Sequence, residues 1–261
     1  MLADIDRFPR FLPVEGFHNR DNLYAGGAVT LTYSTICKGC WQQKHMPIPL
    51  RGVLSAPFRA VGIRPSRMNP NLCTICELMF ERTMKARTVT IDATVLFADL
   101  RAYTQLSQTK TPAEMAGFLD EFYDRCAGAI WRHDGLLNKT IGDAVMAIFN
   151  FPICQADHAR QAVLAAREMQ RDFAARRDEF GVGIGIHCGQ VSFGEFGHSH
   201  RDITAIGTVV NTAARTQSAA EAGQILVTED VCRSVGADLA GASPREYRLK
   251  GFDDPIRLYA A

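Results

Sequence analysis

The sequence predicts an α+β fold: an antiparallel or mixed sheet covered by helices, carried by residues 88–261 and preceded by a small, loop-rich module with four cysteines. Three observations predict it. From residue 88 onward, amphipathic helical stretches are interleaved with pairs of strand-like runs joined at Gly-centred turns, which favours hairpins over the parallel strands of a doubly wound sheet. No G-x-G-x-x-G or Walker sequence marks a dinucleotide-binding or P-loop fold. Seven of the eleven prolines fall before residue 71, alongside two C-x-x-C pairs, and a segment that small and that poor in long helices needs a staple.

Bulk properties set the bounds. With 261 residues, 47% hydrophobic and 22% charged, the chain can bury a substantial core, and it contains no apolar run long enough to span a bilayer. Its first residues carry two acids and lead into no segment of signal-peptide type, so a cytoplasmic protein is expected. The net charge of +1 conceals an asymmetry: residues 1–87 hold 12 Lys or Arg against 6 Asp or Glu, and residues 88–261 hold 17 against 22. That basic excess is too modest to argue for a nucleic-acid partner, and a solvated basic face is expected.

The elements follow in order. The turn signal Gly26-Gly27 introduces a strand-like run over 28–36. It leads into Cys37-Lys-Gly-Cys40, answered after a Pro-rich stretch by Cys73-Thr-Ile-Cys76. Each pair can wrap around one ion, which suits a tetrahedral four-thiolate site. Zinc is the first candidate and an iron–sulfur cluster the second, since both use four thiolates; four reduced cysteines in a small core are the plain alternative. His45 is a possible substitute ligand. We place this module at 1–76 and a connecting helix at 77–87, too short to be a floppy linker.

Thr94–Ala98 reads as a buried strand that delivers Asp99 to its end, followed by a helix start over Arg101–Thr104. A carboxylate beside free backbone N–H groups offers a ligand for a hard cation and a cradle for phosphate, although Asp99 alone also suits a helix cap. Pro112–His133 reads as a helix with Thr111 as N-cap and Met115, Phe118, Leu119, Phe122, Cys126 and Ile130 on one face. Leu136–Ile141 and Ala144–Phe149 form a hairpin whose turn is Gly142-Asp143. A second helix is expected from Asp157 to about Phe180, then a hairpin of Val182–His187 with Gln190–Phe196 around Gly189. A helix over 207–221 and short strands at Ile225–Thr228, Glu246–Leu249 and Ile256–Tyr259 complete the chain.

Asp143 is the second carboxylate, at a hairpin tip able to lie beside the Asp99 strand; two such residues can hold two divalent ions about 3.5–4 Å apart. Asn211 and Arg215, at i and i+4, share one helix face. Phe97-Ala-Asp99-Leu-Arg, Lys139-Thr-Ile-Gly-Asp143, Asp157-His-Ala, Ile206-Gly…Asn211-Thr-Ala-Ala-Arg215 and Leu249-Lys-Gly251 occur in the order and spacing of a known family. On these motifs residues 88–261 resemble the catalytic domain of class III adenylate and guanylate cyclases, whose core is a ferredoxin-like sheet.

The resemblance implies that Asp99 and Asp143, with the Leu100 carbonyl, bind two Mg²⁺ or Mn²⁺ ions. It implies that the backbone through Arg101, Ala102, Tyr103 and Thr104 holds the triphosphate together with Lys250. Asn211 would orient the ribose and Arg215 would stabilise charge on the α-phosphate. Lys139 and Thr204 match the base-selecting pair of the Lys/Thr subclass. Lysine only donates, which suits adenine N1 and not the N–H that guanine presents there, so ATP is the expected substrate. Ala102 stands where many relatives have Gly, and Thr208 where Asp often follows Ile-Gly. The family builds its sites between two catalytic domains, which implies a head-to-tail homodimer. The expectation is therefore an adenylate cyclase making 3′,5′-cyclic AMP; a guanylate cyclase, or a metal-binding sensor using the domain only for dimerisation, are the rivals.

Overall fold

The computed structural model describes residues 33–101, 103–175, 181–197, 199 and 201–261. Most of the strand-like run over 28–36 lies outside the described residues, and so do Ala102 and the expected end of the second helix at 176–180. The chain is organised around β1 (Val89–Leu100), a twelve-residue strand buried on both faces from Ala93 to Ala98. Leu96, Ala98 and Leu100 enter one core, while Ala93, Val95 and Phe97 enter another. Alternate side chains of a strand point to opposite faces, so two cores call for apolar residues of both parities, and the one polar residue of the buried run, Thr94, shares a 2.7 Å hydrogen bond between its Oγ1 and His158 Nδ1.

β1 pairs antiparallel with β3 (Ala144–Phe149) on one edge and with β4 (Val182–Phe196) on the other. β2 (Leu136–Ile141) returns along β3 through the expected Gly142-Asp143 turn. Eight strands among the described residues make one sheet in the order β2-β3-β1-β4-β6-β8-β7, with β5 (Asp202–Ile206) also on β4. β6 (Ile225–Thr228) runs parallel to the first half of β4, and β5 lies antiparallel to its second half. β7 (Pro244–Tyr247) and β8 (Ile256–Ala260) finish the far edge. The first core packs α5 (Pro112–Arg132) and α6 (His158–Ala175) on one face, and the second packs α3 (Thr74–Ala86) and α7 (Thr208–Ala219) on the other.

Four expectations need correction. Gly189 is not a hairpin turn: β4 runs unbroken through it, and Ala93 faces it across the ladder. A Cβ there would stand 2.9 Å from Val209 Cγ2, so the glycine admits α7 close to the strand instead of reversing the chain. The true reversal lies between β4 and β5, a strand the sequence reading omitted. The connecting helix begins at Thr74, not 77, so Cys76 sits in its first turn. The strand expected at Glu246–Leu249 is shifted to Pro244–Tyr247, which leaves Leu249 buried in the loop that follows.

α5 starts as its sequence predicts. Glu114 N donates to Thr111 Oγ1 at 3.3 Å, and Thr111 N donates to Glu114 Oε2 at 2.8 Å, a complete capping box with Pro112 in the first turn. Because both orphan donors are satisfied by these two side chains, Thr111→Ala should lower the melting temperature by about 2–4 °C in differential scanning calorimetry. No change would mean that solvent serves the helix end equally well.

Candidate active site

The parity of β1 fixes the first carboxylate. Asp99 follows Val95 and Phe97 on the same face and leaves the strand on the α7 side, where Gln217 Nε2 donates to its Oδ2 at 3.1 Å. Arg101 Nη1 lies 3.3 Å from the same oxygen, and Arg101 Nη2 donates to the Gln217 carbonyl at 2.6 Å, which closes a three-residue ring. Asp143 stands beside it at the β2–β3 tip: Asp99 pairs with Ala144, and Leu100 N donates to the Asp143 carbonyl at 3.1 Å. The Tyr123 hydroxyl, on α5, donates to the Gly142 carbonyl and pins that tip.

Burial, and after it the charge of Asp143, hold the Asp99 carboxyl above the usual carboxylate range, with Gln217 and Arg101 acting in the opposite sense. Two carboxylates on adjacent strand ends, half-buried, make a hard oxygen donor set whose mutual repulsion a divalent cation relieves. The residues therefore fit Mg²⁺ or Mn²⁺.

The expected phosphate cradle needs one correction. The N–H groups of Leu100 and Arg101 are both spent within the fold, on the carbonyls of Asp143 and Gly181, because the chain is still pairing with its neighbours at that point. Tyr103 and Thr104 open the short helix α4 (Tyr103–Ser107) just beyond.

Lys139 pairs with Met146, which pairs with Phe97, so it shares the Asp99 face two strands away. Its ammonium makes an ion pair with the Asp202 carboxylate. Thr204 Oγ1 donates to Asn138 Oδ1 at 2.9 Å, and Asn138 Nδ2 donates to the Ile203 carbonyl at 3.0 Å. A register shift between Leu137 and Lys139 marks Asn138, so the two residues matched to base choice are tied together across β2 and β5.

α7 presents two faces. Val209, Ala213, Thr216 and Gln217 are buried, whereas Asn211 and Arg215 are exposed. At 3.6 residues per turn, Arg215 and Gln217 point about 200° apart, so Arg215 faces away from the Asp99 of its own chain. Lys250 is exposed after buried Leu249, between β7 and β8 on the sheet edge opposite β2. Ile141 and Ile206 leave 49% and 44% of their surface exposed beside β2 and the start of α7, an apolar flank to the charged groups.

The four sulfurs of Cys37, Cys40, Cys73 and Cys76 lie within 4.8 Å of one another. Hydrogen bonds among the thiols pull Cys37 and Cys73 below the usual thiol range and push Cys40 and Cys76 above it. His45 is outside the group and ends α1 (Lys38–Lys44) in the left-handed conformation.

Sequence reading missed Gln217, Asn138 and Asp202. Gln217 had a signal, since it continues the buried spacing of Val209 and Ala213 and a polar residue on such a stripe asks for a partner. Asn138 and Asp202 had none without the pairing of β2 to β5.

The fold is an α+β sheet with two carboxylates, Asp99 and Asp143, at adjacent strand ends. Residues 86–260 match the family model of the adenylate and guanylate cyclase catalytic domain, and the chain belongs to that family. Among relatives, an adenylate cyclase of Anabaena cylindrica is 32% identical over 181 residues, covering 64% of this chain and 36% of that protein. The adenylyl cyclase CyaB from P. aeruginosa superposes with a TM-score of 0.61 at 28% identity, covering 67% of this chain and 95% of that one. The guanylyl cyclase Cya2 gives 0.58 at 27% identity, covering 66% and 92%. The chain spans about a third of the length of the first curated relatives it matches. No described helix is long and apolar enough to cross a membrane.

Asp99→Asn should leave the fold intact, because the amide oxygen can still accept from Gln217 and Arg101. In chelator its melting temperature should equal or exceed that of the parent, since a like-charge contact is removed, and the stabilisation that Mn²⁺ gives the parent should be lost. A full Mn²⁺ shift in the variant would show that the ion binds elsewhere.

Proposed function

We propose that this chain is an adenylate cyclase, converting ATP to 3′,5′-cyclic AMP and pyrophosphate as a head-to-tail homodimer with two shared sites. The observation that carries the reading is the division of α7: its buried Gln217 holds the chain's own Asp99, while Arg215 and Asn211 point outward to serve a second copy. The exposed Ile141 and Ile206 give that pairing apolar surface to bury.

In the shared site, Asp99, Asp143 and the Leu100 carbonyl would hold two Mg²⁺ or Mn²⁺ ions, which when bound would supply acidification of the ribose 3′-hydroxyl and neutralisation of the departing pyrophosphate. The backbone at Tyr103 and Thr104 would hold the triphosphate, and Lys250 would reach it. From the partner, Lys139 donates to adenine N1 while Thr204, steadied by Asn138, meets the base edge. Asn211 orients the ribose for in-line attack on the α-phosphorus. Arg215 offers its guanidinium to the charge that builds on the α-phosphate, an interaction worth most in the transition state. A guanylate cyclase is the second reading. It is favoured by the Asp202 carboxylate on Lys139, an acceptor that guanine N1–H could use.

Complementation tests the shared site. Asp99→Ala and Arg215→Ala homodimers should each be inactive, but a mixed dimer keeps one intact site, so random exchange should restore about one quarter of parent activity. Assayed with ATP and with GTP, the restored activity should prefer ATP. Verified exchange without recovery would overturn the shared site, and a preference for GTP would replace the first reading by the second.

A further inference from the structure

We propose that Cys37, Cys40, Cys73 and Cys76 hold a single tetrahedral zinc ion, and that this ion fastens residues 34–86 to the turn that opens β2. The sulfur geometry selects a mononuclear ion. Zinc–thiolate bonds of about 2.3 Å place tetrahedral sulfurs about 3.8 Å apart. Cys37 and Cys76 sulfurs are 3.6 Å apart, Cys40 and Cys73 3.6 Å, and Cys40 and Cys76 3.5 Å. An iron–sulfur cluster spreads its thiolates over separate irons bridged by sulfide, and four sulfurs all within 4.8 Å leave no room for that core.

The surroundings are built for thiolates. Cys37 and Cys73 are wholly buried, and Cys37 Sγ accepts from the backbone N–H of Cys40 at 3.4 Å and of Cys73 at 3.2 Å. Such N–H donors stabilise ligand charge around a metal. A Cβ on Gly39 would stand 2.9 Å from Cys76 Sγ, so the knuckle closes only because residue 39 has no side chain.

The residues next to these ligands grip the catalytic domain. Asn71 Nδ2 donates to Asp134 Oδ1 at 2.7 Å and to the Trp131 carbonyl at 2.9 Å, and Lys38 makes an ion pair with Asp134. Asn69 Nδ2 donates to the Gly135 carbonyl at 2.8 Å, and Trp131 Nε1 donates to the Met68 carbonyl at 2.8 Å. Asn69 and Asn71 are almost fully buried, so each partner lost leaves a buried polar group unsatisfied. Asp134 itself stands at φ 59, a conformation its neighbours must hold in place. Four residues beyond Gly135 along β2 comes Lys139.

The test uses the full chain purified without chelator and measures no turnover, so it stands apart from the reading of the reaction. Metal analysis should find about one zinc per chain, absent from Cys37→Ser and Cys76→Ser. Should those variants fail to fold, replacement of the ion by Co²⁺ in the parent chain should give the intense visible bands of tetrahedral cobalt thiolate. On metal removal under reducing conditions, amide exchange over residues 134–139 should rise severalfold while α6 stays protected. Iron in place of zinc, acid-labile sulfide, an absence of metal, or octahedral cobalt overturns the site. Unchanged exchange at 134–139 on metal removal overturns the fastening.

Discussion

β1 is buried on both faces from Ala93 to Ala98, where the hydroxyl of the one polar residue in that run, Thr94, is tied to His158 Nδ1, and it begins to emerge at Asp99. That constraint orders the rest of the molecule. The two cores demand helices above and below, and the register of β1 with β3 brings the β2–β3 tip beside the emerging carboxylate. Desolvation disfavours the charged form of Asp99, and Asp143 adds repulsion, so the fold sets an electrostatic tension between two neighbouring carboxylates. Gln217 and Arg101 moderate that tension without removing it, and both reach Asp99 from positions fixed by packing.

The legible parts of the sequence were those governed by local rules. The β2–β3 hairpin and the start of α5 match their sequence bounds because a Gly-Asp turn and a Thr-Pro cap are decided by neighbouring residues. β4 was misread because Gly189 looks the same in sequence whether it turns a chain or admits a helix, and only the close approach of Val209 distinguishes the two. β5 was missed because five residues paired to the far half of β4 carry too little pattern of their own.

At the site, the candidate carboxylates, the pair matched to base choice and the outward Asn and Arg of α7 were all named from motifs. Their partners were not, because Gln217, Asn138 and Asp202 sit 118, 66 and 63 residues from the groups they touch. The expected phosphate cradle was too generous for a related reason: sequence cannot show that the Leu100 and Arg101 amides are already engaged by Asp143 and Gly181. In the cysteine module, spacing indicated four thiolates, whereas the sulfur separations bear on how many metal atoms they can surround.

The two faces of α7 have a further consequence in the proposed dimer. One twelve-residue helix would carry Gln217 into one site and Arg215 into the other, so the two sites would share a mechanical part. A substrate that drew Arg215 toward its phosphates would shift the same helix that holds Asp99 across the proposed two-fold axis. Occupancy of one site would then be felt at the other as a change in affinity, equal in both directions as linkage requires. Cooperativity between substrates would then need no separate regulatory element, being built into the geometry of twelve residues.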